Sequence, residues 1–169
     1  MTTSPPPKPP EMFLPALLAG SLPTTRLDTN SAAQRLRLLS CRLERGPVAT
    51  SRVSVEFEGP AEAQRIVCRQ EGSTCPGGDL RLAALATLQA ITQATGGALT
   101  FELIGVKPVR AFDTTVMMVA VFAQHGGDVT RIVGAAIVED DQLVATARAV
   151  LHAANRLSSP LLEQLPSVA

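Results

Sequence analysis

Fifteen basic and fifteen acidic residues cancel in a chain of 169, so no net field draws it onto nucleic acid or an anionic membrane surface. Hydrophobic residues make up 46%, enough for one core, while 18% charged residues leave apolar surface for a partner subunit to cover. Five Phe with no Trp or Tyr argue against an aromatic stacking platform for single strands.

Residues 1–30 hold seven of the 13 prolines and read as an extended, disordered tail. Inside it Met12, Phe13, Leu14, Leu17 and Leu18 form an apolar island, and residues 12–18 are a candidate docking motif for a protein partner. The same island does not read as a signal peptide: no basic stretch precedes it and Pro15 interrupts it. No apolar run reaches the roughly 18 residues of a membrane-spanning helix, so no membrane association is expected.

The folded part is expected over residues 31–160. From Arg35, RLRLLSCRLERG fits strand or helix, and strand is favoured because Gly46-Pro47 breaks the chain before a clear hairpin partner. That partner, RVSVEFEG, alternates Val53, Val55 and Phe57 with Ser54, Glu56 and Glu58. After Gly59-Pro60 comes a third alternating strand over 64–72. Asp79 is a candidate N-cap for a helix in which Leu80, Ala84, Leu88 and Ile91 form one stripe. Its many alanines predict close packing on a sheet, and Gly96-Gly97 ends it.

The plan then repeats. A strand over 99–112 is expected to break between Gly105 and Pro108. The next, TTVMMVAVFAQ, is apolar from Val116 to Phe122, which predicts cover on both faces. His125-Gly126-Gly127-Asp128 makes the turn into a strand over 129–139. Asp140 or Asp141 caps the last helix, with Ser158-Ser159-Pro160 as its end and 161–169 as a tail. The fold class is therefore α+β: two βββα repeats, helices on one face of antiparallel sheet, the other face left to find cover. A homodimer follows from that uncovered face.

Few side chains offer chemistry. Pro76-Gly77-Gly78-Asp79 opens a helix with free amides, a geometry that suits a carboxylate or phosphate, although no phosphate-loop or dinucleotide spacing is present. Arg110 can pair with a ligand carboxylate, and Asp113 and Thr114 with a ligand amine; a surface ion pair and an Asx or ST turn are the commoner uses. Glu139, Asp140 and Asp141 can hold a cation, but negative charge at a helix start usually caps it. Cys41, Cys68 and Cys75 contain no CxxC pair, which argues against a disulfide framework or zinc site and for a reducing cytoplasm. His125 and His152 are distant in sequence from Cys75, and His152 falls on the polar side of its helix. No cofactor or metal is expected.

Gly134, the acidic turn Glu139-Asp140-Asp141 and the helix LVATARAVLHAANRL over 143–157 resemble the end of the 2-isopropylmalate synthase regulatory domain. That family closes on a glycine-bearing strand, an acidic turn, an A-S-A-K-A helix start and an A-x-N; the counterparts are Ala145-Thr146-Ala147-Arg148-Ala149 and Ala154-Asn155. The resemblance spans residues 50–157 and is specific only in its last part. It implies a doubled βββα domain that dimerises and binds an amino acid, leucine, at the interface. The chain shows no HxH metal motif and no catalytic barrel, so the resemblance implies a freestanding, non-enzymatic relative.

The expected function is thus a dimeric regulatory module that binds a small metabolite (an amino acid or keto acid) or serves assembly. The alternatives are a protein-docking adaptor through residues 12–18 and a domain of the double-stranded-RNA-binding type. The second needs a basic start to the final helix, where Glu139, Asp140 and Asp141 stand instead. An enzyme would need a His/Asp/Glu constellation that the spacing does not offer.

Overall fold

A computed structural model describes residues 35–59 and 64–164, so the proline-rich segment and the 12–18 island lie outside the described residues. The elements run β1 (Arg37–Gly46), β2 (Thr50–Glu58), β3 (Arg65–Ser73), α1 (Gly78–Ala94), β4 (Thr100–Ala111), β5 (Thr114–His125), β6 (Asp128–Ile137) and α2 (Gln142–Gln164). They form two antiparallel three-stranded meanders, β1-β2-β3 and β4-β5-β6. Each is followed by one helix, so the doubled βββα plan holds.

Alternation decides which face of each sheet is dry. On β2 the side chains of Val53, Val55 and Phe57 are fully buried, and on β5 those of Met117, Val119 and Val121. Both helices pack on these inner faces. Helix α1 touches β2, β3 and β4, while α2 touches β5, β6 and β1. The helices therefore form a middle layer between the sheets, each resting on its own and reaching an edge strand of the other. This explains why α1 is buried on two sides. Ala86, Ala90 and Ala94 join the cluster of Val55, Phe57 and Cys68, whereas Ala84, Leu88 and Ile91 join Met117, Val119 and α2. Small side chains let a helix approach a sheet on both sides without voids.

Contact is tightest at Gly134 on β6. A Cβ there would run into the carbonyl oxygen of Ala149 and lie 2.6 Å from the amide nitrogen of Ala153. The glycine is what lets the α2 backbone rest directly on the strand.

Helix ends follow local chemistry. Asp141 is the N-cap of α2: its Oδ1 accepts a hydrogen bond from the Leu143 amide at 2.7 Å. Past α1, Gly96 and Gly97 take φ of 61° and 83°, and their amides donate to the Gln93 and Thr92 carbonyls. Paired bonds of this kind close a helix with a left-handed residue.

Three expectations are corrected. Asp79 does not cap α1; Gly77, at φ 75°, holds the cap position and Asp79 lies in the first turn. Strand β4 does not break. A register shift between Leu103 and Gly105 absorbs one residue, and Pro108 stays paired with Met117. Proline is tolerated because β4 is an edge strand and needs no outward donor. Strand β5 finds cover within this chain on one face, as the helices-on-one-face plan expects, with Val116, Met118 and Ala120 half-buried and Phe122 exposed on the other. Finally, α2 runs through Pro160 to Gln164. Burial of Leu162 in the first sheet's cluster holds the last turn despite the lost backbone donor.

Candidate functional site

The eight candidate ligand residues gather at the end where both helices begin. Within the first unit, Gly77, Gly78 and Asp79 follow β3, beside the β1–β2 turn; the Thr74 amide donates to the Ala49 carbonyl at 2.7 Å. Within the second, Glu139 and Asp141 follow β6 beside the turn carrying Asp113 and Thr114; the Val138 amide donates to the Thr115 carbonyl. The two groups share an end, since Leu143 packs against the cluster of Val53, Leu82 and Ala83.

Most of these groups are already engaged. The guanidinium of Arg45 forks onto Asp79, with Nη1 to Oδ1 at 3.0 Å and Nη2 to Oδ2 at 2.7 Å. Its Nη1 also reaches Ser51 Oγ at 2.6 Å, and Ser51 meets Thr74 Oγ1 at 2.8 Å. Glu139 pairs with Arg148 at 2.6 Å, and Asp141 caps α2. Gly78 is held close over Cys75, whose sulfur a Cβ at that glycine would meet at 2.7 Å.

Arg110 has no ion pair among the described residues. Asp113 and Thr114 make no side-chain hydrogen bond there, so the turn is not of the Asx or ST kind. Phe112 and Asp113 instead take φ of 51° and 59° between the paired Ala111 and Thr114, a two-residue hairpin turn with both φ positive. Phe112 stands almost wholly in solvent at its tip. This end is built from caps and turn tips.

The histidines and cysteines form no reactive pair. His152 is not merely solvated as expected: its Nδ1 lies 3.3 Å from the backbone nitrogen and 3.1 Å from the carbonyl oxygen of Ala135, at the free edge of β6. Its tautomer sets which of the two it bonds. Burial, with the Asp141 charge second, pushes the Cys41 thiol up to about 12. Burial also raises Cys68, while Cys75 is exposed. Among the described residues no group of three His, Cys, Asp or Glu is placed to hold a metal ion. No described helix is long and apolar enough to cross a membrane.

The more informative surface is the outer face of the second sheet. Val133 is 53% exposed and Ile137 58%, and both sit beside half-buried Val116, Met118 and Ala120. Exposed Phe122 continues the patch, and Ile104, the extra residue of the β4 bulge, is exposed as well. The charges on this face are Glu102, Lys107 and Arg131, and none forms an ion pair among the described residues. At one end a depression of about 390 Å³ is lined by Thr100, Phe101, Glu102, Phe122, Gln124 and Val129.

Sequence reasoning found β5 but not its neighbours on this face. The available signal was β6 itself, whose Val129, Val133, Ala135 and Ile137 are apolar at the parity opposite to Ile132, Gly134 and Ala136. Neither a family model nor a curated protein matches the chain.

Proposed function

We propose that the chain is a non-enzymatic, dimeric regulatory or assembly module, built like the doubled domain of 2-isopropylmalate synthases and able to bind a small amino or keto acid. One observation carries the reading: the outer face of β4-β5-β6 is apolar and open. Three strands spaced about 4.8 Å apart, ten residues long at about 3.3 Å each, give this face a flat area of about 480 Å², of which the rows from Gly105–Ala120–Val133 to Val109–Val116–Ile137 make up roughly 300 Å². Apolar patches of roughly 300–600 Å² are the largest that ordinary monomers expose, and they commonly mark interaction sites. A pair of copies covers two such faces at once. A metabolite would regulate by biasing the packing of that shared interface.

The test has two arms. Sedimentation of the full chain at micromolar concentration should give a dimer; a monomer sinks the dimeric reading. Thermal melts with branched-chain amino acids and their keto acids should show a concentration-dependent rise for at least one of them. No rise across that panel removes the metabolite and leaves assembly.

A further inference from the structure

Resting on the dimeric reading, we infer how the second copy seats: face to face across β4-β5-β6, its Arg131 entering the depression beside Glu102. Cross-strand pairing orders the outer face into rows. Glu102, Phe122 and Arg131 form one row, and Val109, Val116 and Ile137 another. Lys107, Met118 and Ala135 form a third, between them.

A twofold axis along β5, in the plane between the faces, lays β4 of each copy on β6 of the other and sets every row against itself. Three consequences make this arrangement fit. The Val109–Val116–Ile137 row meets an equally apolar row. The long Lys107 side chain lies over the small Ala135 of the partner subunit. Glu102 meets Arg131 of the partner subunit, and this happens twice.

An axis across the strands is the other way to seat the faces. It would set Glu102 against Lys107 of the other copy, but it would leave Arg131 over Ala135 and press the apolar row onto that of Thr100, Gln124 and Val129, with amide and hydroxyl groups against hydrocarbon. The chemistry of the depression also suits a guanidinium. The carboxylate of Glu102 and the aromatic side chain of Phe122 both line it, and both are residue types that attract a cation. Glu102 and Arg131 lie two strands apart within one chain, with Phe122 between them, and are not paired there. A second copy supplies what each lacks.

The footprint agrees with this partner. About 480 Å² of flat face is more than half of the roughly 800 Å² each partner gives to a standard interface. The exposed Ile104 and Val129 at its rim extend it.

Sedimentation of the full chain with charge reversals tests the seating. Glu102→Arg and Arg131→Glu each set like charges face to face twice per dimer and should weaken association by about tenfold or more. The double reversal should return to within about threefold of the parent. If single reversals change nothing while Val133→Glu dissociates the dimer, the face is right and this seating is wrong. If instead Glu102→Lys with Lys107→Glu restores association, the axis runs across the strands and the inference is overturned. A parent chain that is monomeric throughout overturns the dimeric reading as well. Each altered side chain is exposed, and matching melting temperatures of the variants establish that they fold.

Discussion

The two sheets are built alike inside and opposite outside. The outer face of β1-β2-β3 carries four ion pairs: Arg37–Glu58, Arg52–Glu44, Arg52–Glu71 and Arg65–Glu56. Exposed pairs of this kind add little stability, on the order of 0–1 kcal/mol each. What they do is keep a sheet face wet. The outer face of β4-β5-β6 is apolar, and its three charges find no partner within the described residues. Two units of one plan thus carry outer faces of opposite character. The difference teaches that, under the proposed function, the copies would divide their labour: the first a charged, solvated wall, the second the surface for a partner.

Pairwise substitutions at matched places can break that contrast. The largest effect is expected on the inner faces, at Gly134 and Gly72. An alanine at Gly134 meets α2 backbone, which cannot move without shifting the helix. Overpacking of this kind typically costs about 1–3 kcal/mol, and Gly134→Ala should fall at or above the top of that range in chemical denaturation. At Gly72 the nearest atom is a Leu82 side-chain carbon at 3.2 Å. Gly72→Ala should cost about 1 kcal/mol or less, since a side chain can give way. Equal losses would mean that the two helices sit at equal height over their sheets.

On the outer faces the matched pair is Val133→Glu and Val67→Glu, both at exposed valines. Val133→Glu should weaken self-association by about a hundredfold, because it leaves a carboxylate against hydrocarbon. Val67→Glu should leave it unchanged. If both weaken association, the wet sheet is also an interface and the division of labour fails.

A third contrast concerns pH, since all three cysteines lie in the first unit. The folded Cys41 thiol titrates near 12 against an ordinary value of 9.0. Its folded pKa is the higher one, so its contribution is fully present below pH 9 and is lost as pH rises from 9 towards 12. Unfolding measured from pH 8 to 11 should show a steeper alkaline decline in the parent than in Cys41→Ala. A thiol reagent at neutral pH should modify exposed Cys75 and spare Cys41 and Cys68 until the chain unfolds.

The smallest effect separates two turns of one sheet. Gly126 and Gly127 fill the β5–β6 turn with the positive φ that glycine adopts freely, whereas Phe112 and Asp113 hold the same kind of turn between β4 and β5. Phe112→Asn should raise stability by about 0.5–1 kcal/mol, as left-handed backbone suits asparagine better than a bulky ring.

Much of this fold is legible in local pattern. Alternation in β2 and β3, the glycine pair after α1 and the acidic cap of α2 all follow from neighbours in sequence. The misreadings share another origin. Pro108 looked like a break because a strand's place at a sheet edge is a tertiary fact, invisible in the strand itself. Pro160 looked like an end because burial of Leu162 depends on a sheet far away in sequence. Asp79 looked like a cap and a ligand group until Arg45, at the close of β1, claimed both its oxygens. The open face was half legible: β5 showed that it needed cover, but not that β6 would extend the same apolar surface beside it.

The edges of the second sheet bear on how far association can go. Bare strand edges recruit further strands without limit, which is how ribbons and fibres grow. Here β4 carries Pro108 and a bulge on one margin, and on the other the imidazole of His152 occupies the Ala135 backbone. With both margins blunted, the open apolar surface of this sheet is its flat side, and under the proposed twofold that side would be used up by a single partner. The histidine thus works as a stopper at Ala135, where a further strand would otherwise pair.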